Sequence, residues 1–411
     1  MIKVLLIDAF SSLHVGNGAL IDNTYKMCKR YLSNDVDILT IDVKTNEGRF
    51  ENVKEDYFSK YGGGSVNKLK ISFFIILFYF FEFINIKFFR NKIIFPWPRG
   101  LKNIRNCIAD SDVCVSLSGE TINDHYYPHM VLRVLIYNLA IVSGKKFVFF
   151  PQSIGPIYRG WSKLLLRFFL GRSAVIMARD QKSLALSRKI WGDKNTLIIF
   201  CPDVAFSQES ECLSLSCASS DKKVIGLTVS DMPREEVGFY GTYIENIVVS
   251  IREVFDSEKY MILIMPSNYS KKGASKDYKV GLEALDALKL EGYEVSILED
   301  KIYHPEVFQG FQKSLELFIS MRMHVGILAV SAGIPTVMIN TQYKIREFMR
   351  LVGMNSLVVE MDDLSELSTS LKVVRDENLN LRDVLLGENE KIRKTLEEGM
   401  LEMKNIILNK S

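Results

Sequence analysis

The sequence lacks several features that would fix a function class at once. Its six cysteines, Cys28, Cys107, Cys114, Cys201, Cys212 and Cys217, form no C-x-x-C pair. That pattern fits reduced thiols rather than a disulfide framework. No His, Cys, Asp or Glu group has metal-ligand spacing, so no essential metal is implied. Net charge is only +3, from 52 Lys and Arg against 49 Asp and Glu, and no basic block dominates; nucleic acid is therefore not an expected partner. No signal-peptide layout precedes the first apolar run, which leads to the expectation of a cytoplasmic protein. There is no short-period repeat. No uninterrupted apolar run reaches the ~20 residues a spanning helix needs. Gly16-Asn17-Gly18 is not a G-x-G-x-x-G fingerprint, although such a loop can approach a ligand closely.

What is present is an alternation of short apolar runs with helical patterns. A chain of 411 residues with 47% hydrophobic content has material for two cores. The run 4–7 reads as a strand covered on both faces and 146–150 as another buried strand, while 36–43, 112–117, 174–178 and 197–200 read as further strands. Between them lie helical patterns at 19–32, 130–142 and 164–170, and another opening at Arg179. A Ser-rich polar stretch, 207–223, reads as a linker. The pattern then restarts with strands at 224–229, 260–265 and 293–298, and helices at 240–255, 277–290 and 305–314. The expected fold class is α/β. Two doubly wound Rossmann-like domains are arranged as in GT-B glycosyltransferases, with the active site in the inter-domain cleft. The expected division is 1–206, carrying an apolar insertion at 68–96, then the linker 207–223, a second domain 224–380 and a C-terminal helix 381–411.

Within the insertion, the segment 71–89 is dense in Phe and Ile and flanked by Lys68, Lys70, Lys87, Arg90 and Lys92. Glu82 interrupts it. A buried or inter-domain helix and an interfacial helix dipping into a membrane surface both suit it better than a span does.

The stretch 318–340 organises the candidate site. It reads as a buried strand, a turn, a helix and a second strand, the helix being stopped by Gly333 and Pro335. Arg322 and His324 stand where the turn becomes the helix, a place that presents backbone N–H groups to an anion. A surface Arg beside a structurally bonded His fits the same letters. Arg179 has the same context at the end of another strand. Ser118-Gly119-Glu120 closes the strand 112–117, so Glu120, Asp124 and His125 are acceptor-side candidates; a polar turn capping a helix through Asn123 or Asp124 explains part of it equally. The loop Pro151-Gln152-Ser153-Ile154-Gly155-Pro156 is stiffened by its prolines and suits a binding edge. His14, His125, His129 and His304 are the remaining histidines.

These pieces, in this order, resemble the polysaccharide pyruvyl transferase family. The resemblance rests on Gly16-Asn17-Gly18, Ser118-Gly119-Glu120, the 151–156 loop, Ala178-Arg179-Asp180 with Ser183, Pro202-Asp203, Ser320-Met321-Arg322-Met323-His324 with Gly333-Ile334-Pro335, and Lys344 with Phe348 and Leu351-Val352-Gly353. Two departures fall on the acceptor side: Ala19 where the family often has an acidic residue, and Glu120 closing the stretch that is glycine-rich in the family.

The resemblance implies transfer of a pyruvyl group from phosphoenolpyruvate to two hydroxyls of a sugar, giving a cyclic ketal. It implies catalytic roles for His324, Arg179 and Lys344, donor binding by Arg322, Arg179, Lys344, Gln152 and Ser153, and acceptor binding by Asn17, Ser118, Gly119, Glu120 and Asp124. No cofactor is expected beyond phosphoenolpyruvate as donor substrate. The expected partners are that donor and a glycan acceptor, lipid-linked or nucleotide-linked, with peripheral contact to the inner face of a membrane through 71–89. Two other functions fit the architecture. One is a nucleotide-sugar glycosyltransferase, against which Lys344 and Arg346 suit a small anion better. The other is a non-catalytic scaffold of a glycan assembly complex, which has no need of the Arg179, Arg322, His324 and Lys344 set.

Overall fold

Apolar runs with no alternation become the strands of two separate parallel sheets; most are buried, while the run Leu197–Phe200 lies at a sheet edge and stays half-buried. The computed structural model describes residues 2–61, 64–117, 119–214, 221–231, 243–270 and 275–408. Ser118, residues 215–220 of the expected linker and residues 240–242 of the expected helix lie outside the described residues. The first sheet contains β1 (Lys3–Ala9), β2 (Asp35–Thr40), β3 (Asn52–Glu55), β4 (Val113–Ser116), β5 (Lys146–Gln152), β6 (Val175–Ala178) and β7 (Leu197–Phe200), in the order β3-β2-β1-β4-β5-β6-β7. The second contains β8 (Lys223–Thr228), β9 (Tyr260–Ile264), β10 (Glu294–Ile297), β11 (Leu317–Ser320), β12 (Thr336–Asn340) and β13 (Val358–Glu360), in the order β10-β9-β8-β11-β12-β13. Every strand pair in both sheets is parallel. These are two Rossmann-like α/β domains, as expected.

Strand order reverses between β1 and β4 in one sheet and between β8 and β11 in the other. Outside the carboxyl ends at such a reversal the helices of neighbouring strands diverge to opposite faces and leave a crevice. The loop after β4 holds Gly119 and Glu120, and Arg322 and His324 stand where the turn after β11 becomes a helix, so both stretches singled out in the sequence stand at a reversal.

Two strands were not expected. β3 is polar and only partly buried at a sheet edge, and β13 has three residues. Neither gives a periodic or apolar signal. The second expected strand, 36–43, ends at Thr40, because Val43–Asn46 forms a short helix whose Asn46 amide donates to Thr40 Oγ1 and to the Asp42 carbonyl. The first helix runs Val15–Tyr31 rather than from Ala19, so Gly16-Asn17-Gly18 is a helical first turn and not a loop. The Val15 N–H is satisfied by the Ser267 carbonyl at 2.9 Å.

The chain divides into two compact units. The first comprises residues up to Ser12, Leu20–Val204 and the chain from Lys394 on; the second comprises Leu13–Ala19 and Ala205–Arg393. The glycine turn thus goes with the second unit, although the strand before it belongs to the first. Residues 207–214 are not a loose tether. Ser210 donates to Gln309 Oε1 at 2.8 Å, and Leu213 N to the Gly310 carbonyl at 3.0 Å, against the helix Pro305–Gln312. The C-terminal helix extends over Asn378–Leu408, and its last turns return to the first unit, where Lys146 Nζ donates to the Ile407 carbonyl at 2.9 Å.

The apolar segment forms the helix Ser65–Phe89, long and apolar enough by composition to cross a membrane. One stripe of it, Ile71, Ile75, Phe78, Glu82 and Asn85, is buried in the core of the first unit.

Candidate functional site

In the second unit the geometry starts from β11. The strand is fully buried, and Ser320 Oγ accepts from Arg322 N at 3.1 Å as the chain turns. Arg322 is the N-cap residue of the helix Met323–Ser331, which places His324 in its first turn. The guanidinium of Arg322 is held in a fork: Nη2 donates to Asp277 Oδ1 at 2.6 Å and Nε to Oδ2 at 3.3 Å. Asp277 is buried in the first turn of the helix Lys276–Leu290, which follows β9. Burial pushes the Asp277 carboxyl up, and Arg322 opposes that shift. A bidentate pair of this kind fixes the plane of the guanidinium, and planar donors are what carboxylate and phosphate recognition uses.

His324 lies against the glycine turn of the first helix. A Cβ built at Gly16 would fall 2.5 Å from His324 Cβ and 3.1 Å from Cγ, so only a glycine lets the helix start and the imidazole approach this closely. His14 precedes that turn and is bridged to Asn268. Burial, then the charges of Arg322 and His324, lower its pKa to about 4, so its imidazole stays neutral near pH 7.

Lys344 belongs to the next strand. It stands in the first turn of the helix Tyr343–Leu351, which follows β12. β12 pairs with β11, and Thr341 Oγ1 donates to the Met321 carbonyl at 3.2 Å, tying the two strand-end loops together. Burial lowers the Lys344 pKa to about 8. The neighbouring Arg346 is paired with Glu360.

In the first unit, four pieces far apart in sequence form one polar network. Arg179 donates from Nε to Ser153 Oγ at 2.9 Å and from Nη1 to Asp203 Oδ2 at 2.6 Å. Ser153 Oγ donates to Asp180 Oδ2 at 2.9 Å. Asp180 caps the helix Gln181–Trp191 by accepting from Ser183 N, and Ser183 Oγ accepts from Ile154 N. The side-chain oxygen and nitrogen of Gln152 are buried without a hydrogen-bond partner among the described residues. Gly119 joins this edge through its carbonyl, which accepts from Ser153 N at 3.0 Å.

The acceptor-side candidates separate on inspection. Glu120 accepts from Asn123 Nδ2 at 2.6 Å and remains partly exposed. Asp124 is buried, and its Oδ2 accepts from the backbone N–H groups of Tyr158 and Arg159 at 2.8 and 2.9 Å, so its carboxylate holds a loop. Asn17 goes with the second unit, on the turn that carries Gly16. Ser118 lies outside the described residues. Of the other histidines, His125 bonds to the Tyr158 hydroxyl at 3.1 Å, and His129 packs between the rings of Phe58 and Tyr61. His304 is the N-cap residue before Pro305.

A family model for polysaccharide pyruvyl transferase matches residues 14–343. The chain belongs to this family. The match opens at His14 and closes at Tyr343, one residue before Lys344. No curated protein matches the chain in sequence. Among solved structures, Anabaena HepE in complex with UDP aligns over 98% of both chains at 11% identity with a TM-score of 0.56. The UDP-GlcNAc 2-epimerase of Methanocaldococcus jannaschii aligns over 90% of this chain and 92% of its own, at 13% identity and TM-score 0.54. The spinosyn rhamnosyltransferase SpnG, complexed with spinosyn aglycone, covers 96% and 97% at 10% identity and TM-score 0.53. At these identities the pyruvyl transferase family member shares their fold.

Sequence reasoning missed Asp277, the partner that orients Arg322 in this pyruvyl transferase family member. The signal available was an acid in the first turn of a helix that follows a strand. It also missed a buried cluster at the end of β1. There Arg133 Nη1 meets Asp8 Oδ1 at 2.5 Å and Asp56 Oδ2 at 2.6 Å, with Phe58's ring 3.6 Å from the guanidinium carbon. Asp8 adopts φ 72°. A cavity of about 430 Å³, lined by Phe78, Glu82, Arg105 and Lys145 among others, opens near the amino end of β5. It lies away from the strand carboxyl ends and is no part of the candidate site.

Proposed function

We propose that the protein transfers the pyruvyl group of phosphoenolpyruvate onto two hydroxyls of a sugar in a polysaccharide or its precursor, forming a cyclic ketal. The observation that carries this reading is the set on β11 and β12. A fork-held Arg322, His324 packed on Gly16, and the buried Lys344 stand at the carboxyl ends of adjacent parallel strands. Phosphoenolpyruvate is a small polyanion, and Arg322 and Lys344 match its carboxylate and phosphate. Arg179, with Gln152 and Ser153, is proposed to add to donor binding. Asn17, Gly119 and Glu120 are proposed on the acceptor side. Asp124 is proposed there only through the loop it holds.

The chemistry asks for a group that gives and takes protons near neutrality, and an imidazole does so. His324 donates a proton to the enol methylene, leaving a cationic carbon. A sugar hydroxyl attacks that carbon and gives up its proton. Phosphate then departs with its bonding electron pair, and a second hydroxyl of the same sugar closes the ring, again losing a proton. The sum is one ketal and one inorganic phosphate per phosphoenolpyruvate, with no oxidation or reduction and no resident cofactor. The protein is proposed to act in the cytoplasm.

The test is incubation with labelled phosphoenolpyruvate and a panel of glycan acceptors, following phosphate release and label in the glycan. His324→Ala should abolish both while leaving the thermal transition in place. Near-normal turnover by that variant removes His324 from the reaction. Thermal protection by a UDP, GDP or CMP sugar, with none by phosphoenolpyruvate, would instead establish a nucleotide-sugar enzyme.

A further inference from the structure

We propose that the side of the first unit formed by the helices Ser65–Phe89 and Gly160–Leu170 docks on an anionic lipid bilayer. The proposal stands apart from the reaction, since it uses none of the site residues.

The helix Ser65–Phe89 is fixed to the protein along one stripe. Buried Glu82 accepts from Trp97 Nε1 at 2.6 Å and from Arg105 Nε at 3.2 Å, and Asn85 exchanges hydrogen bonds with the backbone of Ile93. Crossing a membrane would strip those partners from a buried carboxylate, which is costly. The helix therefore lies along a surface. Its other stripe, Leu69, Phe73, Ile76 and Phe80, follows the same helical spacing and is 71, 62, 53 and 57% exposed.

The second helix repeats this arrangement, which the sequence alone did not reveal. Trp161, Leu164 and Phe168 are spaced i, i+3, i+7 and exposed, Phe168 to 84%. The two helices are neighbours. The Tyr79 and Phe169 rings lie 6.0 Å apart, and Asn138 clips them together by accepting from Tyr79 Oη at 2.9 Å and donating to the Phe169 carbonyl at 2.7 Å. Two adjacent rows of exposed aromatic and aliphatic side chains exceed the scattered apolar residues of an ordinary surface.

Charge selects the occupant. Residues 57–109 carry nine basic side chains and one acidic one, the buried Glu82; residues 159–172 carry four basic and none acidic. The whole chain is only +3, so positive charge is concentrated around these rows. Arg159 and Arg167 are paired with Asp124 and Asp193, while Lys68, Lys70, Lys87, Arg90 and Lys92 are exposed. A second copy of the same face would bring like charges together. An anionic headgroup layer takes both the cations and, just beneath, the aromatic side chains.

The experiment is flotation of the full chain with vesicles of phosphatidylglycerol and phosphatidylcholine, and with phosphatidylcholine alone. Binding to the anionic vesicles should be at least about tenfold tighter and should weaken with salt. The combined Phe73→Gln, Phe80→Gln and Phe168→Gln variant should lose about tenfold or more with an unchanged thermal transition. Lys68→Glu with Lys70→Glu and Lys92→Glu, which touches no packed residue, should do the same and decides the matter if the first variant aggregates. Absence of binding at low salt, or equal binding by wild type and the lysine variant, overturns the proposal. So does a lipid-free dimer that the lysine or phenylalanine substitutions dissolve, because the face would then be an interface between copies. Loss of vesicle binding with ketal formation on a soluble acceptor intact keeps this result distinct from the proposed reaction.

Discussion

Gly16 and His324 are in contact across the start of two helices, close enough that a Cβ at position 16 would overlap His324 Cβ at 2.5 Å. The first residue sits in the turn after the first strand, the second some three hundred positions later. The orientation of the imidazole therefore depends on a missing side chain far away in sequence.

Gly16→Ala is expected to push His324 off its position while leaving both sheets intact. A displacement near 1 Å at a reacting group costs about a hundredfold in rate. Ketal formation should fall by roughly that factor, with a small drop in melting temperature. Full activity in Gly16→Ala would show that His324 does not need this packing.

Arg322 is oriented by Asp277, so Asp277→Ala should loosen the guanidinium and leave its charge. Donor affinity is expected to weaken about 10-fold or more, following the loss of a fixed bidentate geometry. Calorimetric titration with phosphoenolpyruvate checks this. An unchanged dissociation constant would assign the pair a purely structural role.

Lys344 gives the pH dependence. Burial lowers its pKa from the ordinary 10.5 to about 8, so the ammonium is present below that pH and lost above it. Affinity for the anionic donor should therefore decline as pH rises through about 8, well before an ordinary lysine would deprotonate. Lys344→Arg should move that alkaline limit upward, because a guanidinium stays charged. A flat affinity from neutral to strongly alkaline pH would rule the lysine out.

Arg133 faces two carboxylates, Asp8 and Asp56, and all three side chains are at most 1% exposed. Arg133→Met would leave both acids without the cation that offsets their burial. Breaking such a pair typically costs 3–5 kcal/mol, so urea unfolding should shift by about that amount. A change under about 1 kcal/mol would mean that the ion cluster adds little to stability.

The chain's own letters determined which segments would become strands. Runs such as Val4-Leu5-Leu6-Ile7 and Phe147-Val148-Phe149-Phe150 have no polar face, and only a sheet covered on both sides can bury them. They also put Arg322 and His324 at a helix start, since the apolar run before them and the Gly333-Pro335 stop after them leave one reading. Strands β3 and β13 were invisible because edge and very short strands need no apolar code. The helix start at Val15 was hidden by two glycines, which discourage a helix unless something else requires them. At Gly16 that requirement was packing against His324, and no local pattern contains it. Tertiary structure alone decided that Asp277 orients Arg322, that Asp203 and Ser153 hold Arg179, and that the Phe169 ring meets Tyr79 of the aromatic helix. Each of these is a contact between residues distant in sequence, where distance in space is set by the order of strands in a sheet.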